Sequence, residues 1–524
     1  MKHVFKKIFL VILDGFGLAP SGKSNPISLA KMPFLNSLLS KYPSFNIMAS
    51  GLVVGLPWGK PGNSEVGHSA IGAGRVIVQD WARINEDIQK GAFFENPAFI
   101  SASEHVKKYN SQLHIIGCTS PGGIHAHEDH AIALLEFSAR QRLPHVFLHM
   151  ITDGEDTGPV ESLATLQRLK NPMEKANVLI ATVMGRVYGM DRVLNWELTK
   201  QTWEAIVEGN GKSIANVAEY LAQLHNKKIF DDQIPPANVK DTAVINDSDA
   251  VIFFNYRNDR IKQLVMSFIA PDFKAFERKK IPKNLFIATM TKYTSSYGHA
   301  LPVNAVAYEA PEIHHTLGKE ISRRLLKQFR AAEKEKEAHI TSFFDGGRID
   351  PYDGAELVIV SSRPMRGREY AEHPEMSTKK ITEELLSRAD DDFTFYLINL
   401  ANSDMMAHSG DIYATIEGLK VIDSALKEIA NKVLSDPNSA LAITCDHGNA
   451  EELIDPATGG PDTRHSTNNV FAVFAGDGLE HPNDNSLEKL TGEESSGSLI
   501  DIAPTILHLL EFEKPKEMTG ISLI

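Results

Sequence analysis

The chain alternates short apolar runs with amphipathic stretches. Runs at 8–13, 113–118, 146–151, 178–183, 251–254, 340–344, 357–360, 393–400 and 441–444 read as strands, and their continuous apolar character predicts burial on both faces. Two helices are predicted among them: 411–434, with Ile416, Leu419, Ile422 and Leu426 on one stripe, and 319–337, whose far end is heavily charged. Strands alternating with helices predict an α/β fold, a mainly parallel sheet sandwiched by helices. In such folds chemistry collects beyond the strand ends. Asp14, Asp404 and Asp446 each follow one of these runs.

At 524 residues the chain exceeds what one core usually serves, and 42% hydrophobic residues suffice to fill more than one. Asp14 and Ser64 would have to meet residues 404–465 in space although hundreds of residues intervene. The middle therefore reads as an inserted domain, 80–311, between the two parts of another, 1–79 and 312–524. The first junction falls at Gln79 and Asp80, after the glycine-rich 72–74, and the second within 307–311. There is no internal repeat and no long low-complexity linker.

Charge and targeting narrow the class. A net charge of -13 opposes binding to nucleic acid, whose affinity comes from clustered Lys and Arg. Lys6 and Lys7 before 8–13 resemble the start of a signal peptide, but the apolar run is short and ends at Asp14 without a small-residue cleavage site. No stretch approaches the roughly 20 apolar residues of a membrane helix. A soluble, cytoplasmic protein with no membrane partner is expected. Cys118 and Cys445 form no CxxC pair and read as core residues.

The candidate chemistry is phosphoryl transfer. Ser64 lies in Gly62, Asn63, Ser64, Glu65, Val66, Gly67, His68, and the far end of the chain supplies Asp404, His408, Asp446, His447 and His465, all able to ligate metal. A serine hydroxyl is a poor nucleophile at neutral pH, but a divalent cation holds it as alkoxide and neutralises phosphate oxygens. Asp404 and His408, four apart, face one side of a helical turn, although such pairs also occur on solvated faces. Asp14 before Gly15 and Gly17, taken alone, reads as a turn after a strand. With no thiolate in the set, the donors favour Mn²⁺, Mg²⁺ or Zn²⁺, manganese foremost.

The middle of the chain holds another chemistry. Arg186, Arg192, Arg257 and Arg260 follow apolar strands, and arginine forks match carboxylate and phosphate; salt bridges to Asp191 and Asp259 are the structural alternative. His125, in the loop 122–127, offers an imidazole beside backbone amides, and Asp156 is a candidate general acid or base or a helix cap. Lys336, within the charged 333–337, would ordinarily sit on a solvated face.

Taken in order, these motifs resemble the cofactor-independent (2,3-bisphosphoglycerate-independent) phosphoglycerate mutases, relatives of alkaline phosphatase. The similarity runs nearly end to end through 11–17, 62–68, 71–75, 122–127, 153–157, 185–192, 255–260, 335–339, 374–377, 404–410, 445–451, 465–468 and 503–506. It implies a phosphatase domain built from both chain ends, an inserted transferase domain that binds substrate, and a site in the cleft between them. One metal would take Asp404, His408 and His465, and the other Asp14, Ser64, Asp446 and His447. Ser64 would accept the phosphoryl group of 3-phosphoglycerate and return it to the 2-hydroxyl, without 2,3-bisphosphoglycerate, in glycolysis and gluconeogenesis. Asp156 would move protons, Lys336 balance charge, His125 contact the phosphoryl group, and the four arginines hold substrate; a monomer is expected.

Two positions depart from the family pattern: Glu155 replaces a substrate-binding arginine, and Pro121 replaces an aspartate before the two glycines. Either Glu155 weakens substrate binding or it turns away to pair with a nearby arginine. The alternatives are a metal-dependent phosphatase, a mutase acting on another small phosphorylated acid or sugar, and a silent member kept for binding.

Overall fold

The computed structural model of the chain describes residues 4–270, 273–294, 299–310, 313–362 and 367–524. Backbone contacts divide it into one unit, Met1–Gln79 with Glu312–Ile524, and a second, Asp80–Pro311. The second expected junction, at 311–312, lies outside the described residues.

Each unit is built on one eight-stranded sheet. In the first unit the spatial order is Ala355–Val360, Gln328–Glu333, Phe395–Leu400, Lys7–Leu13, Ser439–Cys445, Val470–Gly476, Ser44–Met48 and Gly497–Ser498. The first five run parallel, and Val470–Gly476 is antiparallel to both of its neighbours. Successive side chains of a strand point to opposite faces, so full burial of Phe395–Leu400, Ser439–Cys445 and Val470–Gly476 means that both faces are covered. Helices Thr378–Arg388 and Ile412–Val433 pack on this sheet, the latter through Leu419, Ile422 and Leu426. Register pairs Leu13 with Leu400 on one side and with Cys445 on the other. Three neighbouring strands thus end level, and the chain segments carrying Asp14, Asp404 and Asp446 leave the sheet together.

The second sheet runs Ala305–Tyr308, Phe286–Thr291, Ala250–Phe253, Leu113–Cys118, Val146–Thr152, Val178–Gly185, Ala237–Val239 and Lys212–Ile214. Its only antiparallel pair among the described strands is Val178–Gly185 with Ala237–Val239. Cys118 is level with Ile151, and Thr152 with Gly185, which aligns the loops that follow these strands.

Two expectations fail between 317 and 344. The expected helix over 319–337 stops at Ser322, and Gln328–Glu333 is instead an inner strand buried at every position. Its polar side chains are satisfied inside: Arg330 pairs with Asp345 and with Gln328 Oε1, and Glu333 accepts from the Ser377 amide. The expected strand at 340–344 is a wide helical turn, His339–Phe343, whose Ile340 carbonyl is taken by the Arg330 guanidinium. Five apolar-leaning residues carry no period long enough to separate a strand from a turn. Cys118 and Cys445 are free and buried. Among the described residues no helix is long and apolar enough to cross a membrane.

The second unit buries neutral histidines. His114 Nδ1 lies 2.8 Å from His149 Nε2, and this pair continues to Asp249 and Thr182 on neighbouring segments. Burial pushes the pKa of both histidines down. Burial, aided by His127, pushes His130 down to about 3 from the ordinary 6.5. A folded value below the unfolded one means that stability is complete above the unfolded pKa and is lost as pH falls toward the folded one. Between pH 7 and pH 5, His130 alone should remove roughly 2 kcal/mol. The urea midpoint of the wild type should therefore fall more between these pH values than that of His130→Gln. Equal falls in the two proteins would refute this.

Candidate active site

Ser64 is the first residue of helix Ser64–Ala73, whose N-terminus is capped by the Asn63 side chain accepting from the Val66 amide. Its Oγ lies 3.0 Å from His447 Nε2 and 3.4 Å from Asp14 Oδ1. The helix can approach this closely because Gly67 has no side chain: a Cβ there would stand 2.3 Å from the Asp446 carbonyl oxygen. Gly15 acts likewise beside Asp404, where a Cβ would meet the aspartate Cβ at 2.7 Å, and its φ of +67° favours glycine.

Two clusters form around Ser64. Asp14, Asp446 and His447 bring ligand atoms within 4.8 Å of one another, and so do Asp404, His408 and His465. The buried Lys336 ammonium lies 2.7 Å from Asp14 Oδ1 and 2.7 Å from Asp404 Oδ2, so this lysine is not on the solvated face that its sequence context suggests. Burial raises the Asp14 pKa, and Asp446 pushes the same way against Lys336. Burial would raise Asp404 too, but Lys336 and His408 hold it well below the ordinary value. Asp446 is also lowered, since His447 and His68 outweigh burial. The carboxylates raise His447 against burial, whereas burial and His447 push His465 down to about 4.

The donor set fits divalent cations. His408 Nδ1 lies 3.0 Å from the Thr463 carbonyl, His465 Nδ1 3.0 Å from that of Gly62, and His447 Nδ1 3.2 Å from that of Gly448. A carbonyl only accepts, so each neutral imidazole carries its proton on Nδ1 and turns a lone pair inward on Nε2. His408 and His465 then oppose two lone pairs across 3.2 Å, a contact that a cation between them makes favourable. Three buried carboxylates sharing one lysine, which contacts Asp14 and Asp404, point the same way.

The other candidates gather in the second unit. Arg186 follows strand Val178–Gly185 and is fully buried, with Nη1 2.5 Å from Asp153 Oδ1 and 2.6 Å from Asp156 Oδ2. Among the described residues its Nε and Nη2 have no hydrogen-bond partner, Nη2 meeting only the Glu155 carboxylate at ion-pair distance. Asp153 shapes its own loop by accepting from the amides of Glu155 and Asp156, and its other oxygen accepts from Ser120. Glu155 turns to arginines, 3.2 Å from Arg260 Nη2 and 3.4 Å from Arg186 Nη2. Arg192 and Arg257 meet at Asp259, at 3.6 Å and 3.3 Å, and His125 lies between Asp259 and Asp156.

Sequence reasoning assigned no role to the residues that hold these groups. Asn399 Nδ2 donates to Asp14 Oδ2 and stands 3.1 Å from His68 Nε2, while His68 Nδ1 lies 3.2 Å from Asp446 Oδ2. Asn449 donates to Asp404. Glu451, buried, gathers the amides of Gly17 and Asn449 with the Ser466 hydroxyl and the Asn468 side chain. The ordered motifs 62–68 and 445–451 contain three of these four and were the available signal.

A serine at a helix N-terminus, set among carboxylate and imidazole clusters at the ends of parallel strands, defines a metal-binding α/β enzyme of phosphoryl transfer. A family model described as BPG-independent PGAM N-terminus matches residues 84–295. Relatives named 2,3-bisphosphoglycerate-independent phosphoglycerate mutase include that of Acetivibrio thermocellus, 38% identical over 525 residues and 99% of both chains. That of Chloroflexus aurantiacus is 40% identical over 546 residues, covering 99% of this chain and 98% of the relative. Among solved structures, the phosphoglycerate mutase of Leishmania mexicana, determined at low cobalt concentration, matches 99% of this chain and 98% of its own with a TM-score of 0.72 and 26% identity. The chain belongs to the 2,3-bisphosphoglycerate-independent phosphoglycerate mutases.

Among the described residues Lys336 is the one ammonium between Asp14 and Asp404. Removing it leaves buried like charges uncompensated, a loss of about 3–5 kcal/mol for a broken buried pair. Under chelator, Lys336→Met should melt well below the wild type, and added divalent cation should raise its melting temperature by more than it raises that of the wild type. Indistinguishable melting under chelator would contradict the assignment.

Proposed function

We propose that the chain interconverts 3-phosphoglycerate and 2-phosphoglycerate through a phosphoserine at Ser64, serving glycolysis and gluconeogenesis without 2,3-bisphosphoglycerate. The observation that carries this reading is the position of Ser64 Oγ, at a helix N-terminus and 3.0 Å from His447 Nε2. Asp404, His408 and His465 would hold one divalent cation, and Asp14, Ser64, Asp446 and His447 a second, with Mn²⁺ as the metal. Bound there, the cations supply positive charge that favours the serine alkoxide and offsets phosphoryl oxygens.

Ser64 forms its bond to phosphorus as the bond from phosphorus to the substrate 3-oxygen breaks, and Asp156 gives that oxygen a proton. Glycerate and phosphoserine result. The first amides of the helix favour the anion on Ser64. After glycerate reorients, its 2-oxygen attacks phosphorus, its proton passes to Asp156, and Ser64 is freed. Arg186, Arg192, Arg257 and Arg260 hold the substrate anions, Arg186 through Nε and through Nη2 once the Glu155 carboxylate gives way. His125 contacts the phosphoryl group, and Lys336 balances charge beside Ser64. Water must be excluded, or phosphoserine would hydrolyse. We place the enzyme in the cytoplasm as a monomer; its mass by light scattering should be that of one chain, and a multiple of it would reject the monomer.

A coupled assay with enolase on 3-phosphoglycerate, without 2,3-bisphosphoglycerate, should show turnover with Mn²⁺ that is abolished by chelator and by Ser64→Ala. Release of inorganic phosphate in place of 2-phosphoglycerate would make the protein a phosphatase instead. The Glu155 carboxylate competes with the substrate for Arg260 and Arg186. Glu155→Arg should lower the Michaelis constant at least roughly tenfold, the equivalent of one charge-assisted hydrogen bond. An unchanged or higher constant would reject that role.

A further inference from the structure

Asp259 has no part in the scheme above, yet it faces the centre of the second unit's cluster. It is the second residue of helix Asn258–Ile269, two residues beyond the strand-end loop residue Arg257, whose amide donates to the His125 carbonyl and so ties the two loops together. His125 is buried, and its two ring nitrogens face two carboxylates: Nδ1 lies 3.3 Å from Asp259 Oδ1, and Nε2 3.7 Å from Asp156 Oδ2. Among the described residues neither Nδ1 nor Asp259 Oδ1 has a hydrogen-bond partner, so the two buried atoms are left facing each other across this ion-pair distance. Burial would raise the Asp259 pKa, but His125, Arg257 and Arg260 hold it at about 2, so at neutral pH it only accepts.

We propose that Asp259 is a positioning residue: it holds the His125 imidazole with Nδ1–H turned toward its own carboxylate, so that Nε2 presents a lone pair to Asp156. This rests on the reading of Asp156 as the group that moves the glycerate proton. As the glycerate oxygen bonds to phosphorus, its proton goes to Asp156, and from there to His125 Nε2. The resulting imidazolium stands against the Asp259 carboxylate. In the opposite half-reaction the same proton returns through Asp156 to the departing oxygen, so no net proton is taken up or released. A carboxylate that fixes an imidazole's tautomer and stabilises its protonated form does the same in unrelated hydrolytic sites.

Asp259 also pairs with Arg192 and Arg257, so the test must separate two roles. If it positions His125, Asp259→Asn should lower kcat on the order of 100-fold, within the range of positioned proton transfer, with the Michaelis constant unchanged or lower. Asp259→Glu should recover part of kcat, and Asp259→Asn should add little to His125→Gln. If it serves only the arginines, the Michaelis constant moves and kcat holds, which overturns the proposal. An independent readout is the ¹⁵N spectrum of the His125 ring in the free enzyme, assigned through His125→Gln and recorded at alkaline pH with the relay proton removed. It should report the Nδ1–H tautomer in the wild type and its loss in Asp259→Asn; a tautomer indifferent to the substitution also overturns the proposal. Should the wild type lack mutase turnover, the reading of the reaction fails, and the ring tautomer alone decides the role of Asp259.

Discussion

The first unit buries three carboxylates around a single ammonium, and its site depends on that imbalance. Asp14, Asp404 and Asp446 are sealed from solvent, and among the described residues only Lys336 stands directly between two of them. Unit charges about 4 Å apart interact by about 4 kcal/mol at an effective dielectric of 20, so two like-charged neighbours are tolerable only beside compensating charge. One lysine compensates in part. Asp14 answers by a raised pKa, whereas Asp404 stays ionised against the lysine. Inward-facing imidazole lone pairs cannot supply the missing charge, and a pair of divalent cations can.

Such crowding is a product of strand register. Lys7–Leu13 is flanked by Phe395–Leu400 and Ser439–Cys445 in parallel, and all three end at one level. The residues beyond them have nowhere to go but the same rim, where Gly15 and Gly67 permit backbone approach that any Cβ would block. Glu451 then draws the Gly17, Asn449 and Ser466 segments onto one carboxylate, which fixes the loops without adding a charge to the cluster itself. Sheet geometry selects the place, and hydrogen bonds to backbone carbonyls select the tautomers.

Much of this was legible because buried parallel strands are continuous apolar runs: the strands around 8–13, 113–118, 146–151 and 441–444 were found within a residue or two. Gln328–Glu333 was not, since Arg330 and Glu333 in a buried strand are paid for by Asp345, Ser377 and Ser362, partners that no local window contains. The site divides the same way. Residues with metal-ligating side chains at strand ends announce themselves, whereas Asn399, His68 and Asp259 matter only through the atoms opposite them. Asp259 was visible as the possible salt-bridge partner of an arginine; its facing imidazole was not.

The second unit solves the opposite problem. Its four arginines meet Asp153, Glu155, Asp156 and Asp259, so the cluster is balanced before any substrate arrives. An incoming anion gains nothing from a satisfied arginine unless it displaces a carboxylate, and the carboxylates differ in how firmly they are held. Asp153 is 6% exposed and is fixed by Arg186, Ser120 and two amides, so moving it would strip a buried guanidinium. Glu155 is 41% exposed and held by Arg260 with a longer contact to Arg186, the kind of pair that water screens to about 1 kcal/mol or less. Of the resident anions, Glu155 is therefore the one a substrate carboxylate can replace, which turns a departure from the family pattern into a graded competitor at the binding step and leaves the acid–base residues undisturbed.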